Sequence, residues 1–236
     1  TGASVRVFVL DYKKAFDLID HNILIDKLSM YKINPFVVNW ICDFLSNRHQ
    51  RVKLAKDCFS EWKTVPAGVP QGTKLGPWLF IIMINDLEVT SSDGVFKYVD
   101  DTTTHEIVKK GEDSQAQTLL DEINDWSIAN KFHLHPQKCK ELRISFTRDD
   151  VSYEDVSIDQ STLNIVESVK ILGVTIQNNL KWNLHIKDTI KKASKRLYFL
   201  KQLKRAKLST EELVKFYVTC IQSVILYACQ VYHYSI

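Results

Sequence analysis

Residues 97–105 read Lys97-Tyr98-Val99-Asp100-Asp101-Thr102-Thr103-Thr104-His105, "KYVDDTTTH". The runs on either side, Val95 to Val99 and Thr103 to Val108, are rich in β-branched and aromatic residues. Their spacing predicts two strands with Asp100-Asp101-Thr102 at or beside a hairpin turn. An Asp at a strand end is ordinarily a turn residue or a helix cap, and that reading suffices for Asp17, Asp20, Asp43, Asp86 and Asp93. For Asp100 and Asp101 it leaves a cost unexplained, because two adjacent carboxylates repel and gain nothing in stability from each other.

Upstream, "VRVFVL" (Val5 to Leu10) is almost continuously apolar, as expected for a strand covered on both faces, and it too ends in a carboxylate, Asp11. Three carboxylates converging at the ends of central strands, away from bulk water, need a cation to neutralise them. Oxygen ligands of this kind suit Mg²⁺, which completes its octahedron with water and substrate phosphates. Two such ions about 3.5–4 Å apart serve in-line phosphoryl transfer. On spacing alone the metal site and the turn-and-cap reading both stand.

Around these strands the periodicity predicts a helix from Asn22 to Tyr31. A second is capped by Asn34 with Pro35 at its first position and carries Phe36, Val37, Trp40, Ile41, Phe44 and Leu45 on an inward face. Residues 51–65 read as a strand pair about Lys56-Asp57, and "VPAGVPQGTKLGP" as a structured loop feeding an apolar helix. A helix with Leu119, Leu120, Ile123 and Trp126 inward follows, then strands from Leu142 to Phe146 and Val169 to Ile176. Past a boundary near residue 178 the chain reads as helical. Lys181 to Lys207 holds ten Lys or Arg against one acid, Asp188, and Ser209 with Glu212 forms a capping box ahead of an apolar helix from Leu213 to Tyr232.

The 236 residues, 45% of them hydrophobic, can bury a substantial core in one large domain or two modest ones, and a net charge of +3 says little about partners. Cys42, Cys58, Cys139, Cys220 and Cys229 form no CxxC pair, which points to reduced thiols in an intracellular setting. His133 and His135 near Cys139 lack a second ligand pair, so a zinc site is set aside. No apolar run approaches the roughly 20 residues that span a bilayer, and no signal peptide opens the chain, so a soluble protein with no membrane partner is expected. The start at Thr1, directly before an apolar strand, suggests a piece of a longer chain.

Taken in order, "VFVLDYKKAFDLIDH", "GVPQGTKLGPWLFIIMINDL", "KYVDD", "LHPQKCKEL" and "KILGVTIQNNLKWNLHI" resemble the successive motifs of a reverse transcriptase of the non-LTR (LINE-type) retrotransposons. The resemblance covers nearly the whole chain and implies an α+β, right-hand polymerase. Its palm, an antiparallel sheet with packed helices, would span 1–178, and a helical, basic thumb 179–236, with the fingers largely missing. It implies RNA-directed DNA synthesis from deoxynucleotides on an RNA template and a DNA primer, with two Mg²⁺ ions (Mn²⁺ as a substitute) on Asp11, Asp100 and Asp101. Lys138 would act as proton donor or charge stabiliser for pyrophosphate. Tyr12, Phe16, Gln71 and Gly72 would contact the nucleotide, with Phe16 excluding a 2′ hydroxyl. Tyr98, Val99, Leu172, Gly173, Lys191 and Lys195 would hold primer and template. The same resemblance implies the rest of a retrotransposon polyprotein as partner and a place in the nucleus or cytoplasm, and leaves open a decayed copy that binds RNA without catalysis. The chain departs from the family at Val99, where Ala is commoner, at Cys139, where Thr is common, and at Lys74 and Trp78.

Overall fold

A computed structural model describes residues 2–146 and 152–233. Residues 1 and 234–236, the outer ends of the two expected domains, lie outside the described residues. The chain is a mixed α/β protein that divides into two compact units, residues 1–141 with 147–164, and residues 142–146 with 165–236.

The first unit opens with β1 (Ala3–Leu10), followed by α1 (His21–Met30) and α2 (Pro35–Leu45). Four short strands come next: β2 (His49–Gln50), β3 (Lys53–Ala55), β4 (Cys58–Phe59) and β5 (Lys63–Thr64). Then come α3 (Leu75–Ile84), β6 (Gly94–Tyr98), β7 (Asp101–Lys109) and α4 (Ala116–Ala129). Strand β7 pairs antiparallel with β1 along its length, from Ala3 opposite Lys109 to Leu10 opposite Thr102, and with β6 from Gly94 opposite His105 to Tyr98 opposite Asp101. Phe8, Leu10, Leu24, Leu28, Leu79, Phe80, Met83, Leu119, Leu120, Ile123 and Phe132 form the core beneath them.

Both helix starts follow from local chemistry. Asp20 accepts hydrogen bonds from the Asn22 and Ile23 N–H groups at the start of α1, and Asn34 accepts from Phe36 N–H with Pro35 leading α2.

Two expectations need correction here. Strand β1 is not sealed on both faces: Ser4, Arg6, Phe8 and Leu10 are buried while Val5, Val7 and Val9 are only half-buried. In α2, Ile41 and Leu45 are buried, but Phe36 is 83% and Trp40 57% exposed. Periodicity says which side of a helix is apolar; it does not say whether another element covers all of it.

Strand β8 (Lys140–Ser145) crosses the division, and the short strands β9 (Ser157–Ile158), β10 (Ser161–Thr162) and β11 (Asn164–Val166) come before the bulk of the second unit. That unit contains the hairpin β12 (Ser168–Ile171) and β13 (Val174–Gln177), then α5 (Asn183–Arg205) and α6 (Thr210–Phe216), the latter opened by the Ser209–Glu212 capping box. A π-helical turn (Tyr217–Gln222), α7 (Ser223–Ile225) and α8 (Cys229–Tyr232) complete it. On α5, Ala193 is buried, but Leu184, Ile190 and Leu197 are exposed along with the lysines.

The absence of a membrane-length segment is also corrected. Among the described residues, the 23-residue helical stretch Thr210–Tyr232 contains an 18-residue window of mean hydropathy 1.3, 6% of it buried, long and apolar enough to cross a membrane by length and composition alone. Lys215, Thr219, Gln222 and Ser223 break the apolar run in the sequence and hid it. The stretch is interrupted at Ala228, whose φ of 52° lies in the left-handed region, and the Tyr232 hydroxyl donates to the freed carbonyls of Ile225 and Tyr227 at 2.9 and 3.2 Å.

Candidate active site

The register of the three strands sets the site. Leu10 faces Thr102, so Asp11, one residue beyond, stands beside Asp101, one residue before. The β6–β7 connection is a two-residue turn of Val99 and Asp100, closed by Tyr98 opposite Asp101. A two-residue turn needs positive φ, and here it falls on Val99, at 56°. A β-branched residue in that region costs about 1–3 kcal/mol, a cost the surrounding sheet and core hold in place. Val99 packs against the core while Tyr98 is 63% exposed.

Asp100 and Asp101 are exposed at this hairpin tip and Asp11 is half-buried, which corrects the expectation that all three are cut off from water. They still feel one another. The Asp101 carboxyl is raised above its ordinary range by partial desolvation first, then by the charges of Asp100 and Asp11. Asp11 Oδ1 is itself buried and lacks a hydrogen bond, with Lys138 Nζ 3.3 Å away as an ion pair.

Segment 132–139 is stitched to the Asp11 loop by backbone bonds that put Lys138 there. Lys13 N–H donates to His133 O and His135 N–H to Asp11 O, both at 2.8 Å, and Tyr12 bridges to Leu134. Cys139 lies buried beneath, its Sγ accepting from Asp11 N–H at 3.4 Å, its thiol pushed up by burial. The residue in the place where Thr is common therefore supports the backbone of a carboxylate.

The nucleotide-side candidates form a second cluster in the same unit. Phe16 stacks on Phe80 with ring centroids 4.8 Å apart. The loop before α3 is sewn onto the turn at 14–19: Gly68 N–H donates to Ile19 O at 2.8 Å, and Val69 N–H to Phe16 O at 2.9 Å. Gln71 Nε2 donates to Asp17 Oδ1 at 3.0 Å. Gly68, at φ 82°, could not carry a Cβ, which would lie 2.6 Å from Asp17 O. Gly72, also at positive φ, has open space around it.

Tyr12, expected beside the nucleotide, is instead only 6% exposed, tilted against Phe132 at 5.5 Å, and burial pushes its hydroxyl up to about 12. Its side chain belongs to the core. Asp17, read from sequence as an ordinary turn residue, turns out to hold Gln71, a pairing across 54 residues that no local spacing signals.

The remaining candidates belong to the second unit. Leu172 and Gly173 form the two-residue turn of the β12–β13 hairpin at φ 45° and 86°. The Tyr227 hydroxyl donates to Leu172 O at 2.6 Å, and a Cβ on Gly173 would meet the Tyr227 ring at 3.2 Å. Lys191 and Lys195 are exposed on α5.

Among the described residues no three His, Cys, Asp or Glu side chains already converge at ligand distance. The donors nevertheless fit a hard divalent cation: every one is a carboxylate, one oxygen is buried without a hydrogen bond, and another carboxyl is held up by its neighbours' charge.

Comparison with known proteins follows the same lines. Residues 2–176 match the family described as reverse transcriptase (RNA-dependent DNA polymerase). A shorter match, residues 182–223, is to the N-terminal segment of alkylated DNA repair protein alkB homolog 8. The RNA-directed DNA polymerase from mobile element jockey of Drosophila funebris is 30% identical over 94% of this chain and 25% of its own length. The probable RNA-directed DNA polymerase from transposon BS of Drosophila melanogaster is 25% identical, over 94% of this chain and 26% of its own. The chain thus spans about a quarter of these relatives. Among solved structures, telomerase from Candida Tropicalis, in complex with a TWJ fragment of telomeric RNA, superposes with a TM-score of 0.51 at 15% identity, covering 98% of this chain and 39% of that one. The likeness is one of fold.

Proposed function

The chain belongs to the reverse transcriptase (RNA-dependent DNA polymerase) family, and from that premise we propose that it is the catalytic part of an RNA-directed DNA polymerase of a mobile element. The observation that carries the reading is the placing of Asp11 beside Asp101 by the β1–β7 register, with a buried Asp11 oxygen left without a hydrogen bond.

Asp11, Asp100 and Asp101 would hold two Mg²⁺ ions, which when bound supply charge neutralisation for the attacking primer hydroxyl and the leaving pyrophosphate. Lys138, held against Asp11, offers positive charge and a proton on the leaving-group side. Phe16 is half-buried and held by its stack on Phe80, so its ring would meet a 2′ hydroxyl with carbon while a deoxyribose would be accommodated. Gln71, its Nε2 engaged by Asp17, presents its amide oxygen and remaining N–H to the nascent base pair, with Gly72 leaving the backbone open to approach. In the second unit, the Leu172–Gly173 turn, clasped by Tyr227, would support the primer end. Lys191 and Lys195 would attract the phosphates of the duplex.

Primer extension on an RNA template with Mg²⁺ and deoxynucleotides tests the reading. It is run with this chain and with the jockey polymerase carrying residues 2–176 of this chain in place of its own. Extension by the chimera is expected. A folded chimera that binds template and primer yet adds no nucleotide, beside an active jockey parent, rules the reading out.

A further inference from the structure

Residues 48–65 fold into a hairpin arm: β2 pairs with β5, and β3 with β4, about the Lys56-Asp57 turn. Every residue from His49 to Thr64 is exposed. An arm that buries nothing gains little for the fold, yet its composition is not that of an ordinary solvated hairpin. It carries five cations, Arg48, Arg51, Lys53, Lys56 and Lys63, against two acids, Asp57 and Glu61. Among the described residues none of the five is in an ion pair.

Its aromatic rings are in the open beside these cations. Phe59 is 41% and Trp62 59% exposed. The Arg51 guanidinium lies over both, 4.0 Å from the Phe59 centroid and 4.6 Å from Trp62, and Lys53 Nζ lies 5.4 Å from Phe59. Stacking fixes the guanidinium plane and leaves its N–H edge free to fork a phosphate, while the outer ring faces remain available to bases. At its base the arm opens on a cleft of about 680 Å³ that runs past Lys14, Arg48, Gln50 and Thr64 to Gln71.

We propose that the 48–65 arm is a platform for single-stranded nucleic acid, whose strand continues along this cleft to Gln71. Interleaved cations and exposed rings are the chemistry that recognises unpaired bases on a phosphate backbone; a duplex, with its bases stacked inside, offers the rings nothing. A protein partner fits less well: Val52 and Leu54 are exposed on the arm too, but cations spread along it outnumber acids five to two, and charged residues are depleted from the core of protein interfaces. The proposal rests on the polymerase reading, in which the strand entering the site unpaired is the template.

The test uses the unchanged chain and two variants, Arg51→Ala/Trp62→Ala and Lys53→Glu/Lys63→Glu. All four residues are exposed, and circular dichroism checks the variants' folding. Fluorescence anisotropy with a labelled oligouridylate of about 20 nucleotides should show each variant binding roughly ten-fold more weakly or worse, with a shallower salt dependence for the Lys pair. Binding of a blunt-ended RNA duplex should be unchanged. Equal oligouridylate affinity in variants and parent overturns the proposal, as does an equal loss on that duplex, or a change confined to self-association of the chain.

Primer extension by the chimera separates this claim from the one beneath it. Normal extension with unchanged oligouridylate binding in the variants removes the arm and leaves the polymerase standing. Weakened oligouridylate binding in the variants, beside a parent chimera that extends nothing, supports the arm and removes the polymerase.

Discussion

Lys138 Nζ stands 3.3 Å from Asp11 Oδ1, joining a residue of the fourth motif to one of the first across 127 positions of sequence. The side chain of Lys138 is 61% exposed, so the pair itself adds little to stability. Its worth is positional, because the backbone bonds from His135 to Asp11 and from Lys13 to His133 fix where the ammonium can be. Lys138→Ala should lower the single-turnover extension rate by about 10²-fold while leaving template–primer affinity and the melting temperature nearly unchanged. Rapid-quench kinetics against a binding titration measures both, and an unaltered rate would reduce Lys138 to a surface lysine.

Asp17 should act through Gln71. Breaking the 3.0 Å hydrogen bond frees the Gln71 amide to rotate, so Asp17→Ala is expected to raise the KM for deoxynucleotide several-fold with a smaller effect on kcat. Adding Gln71→Ala should cost little more, giving a coupling energy of about 1 kcal/mol in a double-mutant cycle. Fully additive losses would mean that the two side chains work independently.

Phe16 has a test that distinguishes selection from packing. Phe16→Val removes the ring that stacks on Phe80 and should admit ribonucleotides, raising their incorporation relative to deoxynucleotides by about 10-fold or more, the range of a steric pocket contact. Loss of stability alone, with discrimination intact, would return Phe16 to the core.

Much of this arrangement was legible before any coordinates, for reasons that differ by element. Alternating β-branched runs around Asp100-Asp101 specify a hairpin, and Asn34-Pro35 specifies a helix start, because each depends on local conformational chemistry. What could not be read was anything set by distant partners. Trp40 and Phe36 lie on the apolar side of α2, yet only Ile41 and Leu45 found cover. Tyr12 sits next to a site carboxylate, but strand alternation turns its ring into the core. Arg6 hides in "VRVFVL" as an apparent break in an apolar strand; its partner Glu141 is 135 residues away.

That buried pair yields a stability prediction. Arg6 Nε donates to Glu141 Oε1 at 2.7 Å with both side chains about 98% buried or more, and the guanidinium also reaches Ser114 Oγ and Glu154 O. Removing one partner strands a charge, so Glu141→Ala should cost about 3–5 kcal/mol in urea unfolding, whereas Arg6→Met with Glu141→Leu should recover most of it. A single substitution costing under about 1 kcal/mol would show that water reaches the pair.

Asp101 links function to stability with a definite sign. Its carboxyl is raised above the ordinary value of 3.8 by desolvation, then by the charges of Asp100 and Asp11, so the folded chain holds its proton more tightly than the unfolded one. Stability from this group is full below the ordinary carboxylate value and is lost as pH rises through the raised folded value; at neutral pH the ionised Asp101 is a strain on the fold. Asp101→Asn should therefore raise the melting temperature at pH 7, and the advantage should shrink as pH falls toward 4 and the parent protonates. The same substitution should abolish primer extension. Mg²⁺ should stabilise the parent at pH 7 by relieving the repulsion and should stabilise the Asn variant much less. Calorimetry across pH, with and without Mg²⁺, reads every arm. A variant that melts lower at pH 7, or that gains as much from Mg²⁺ as the parent, would mean that the three carboxylates are not one electrostatic unit.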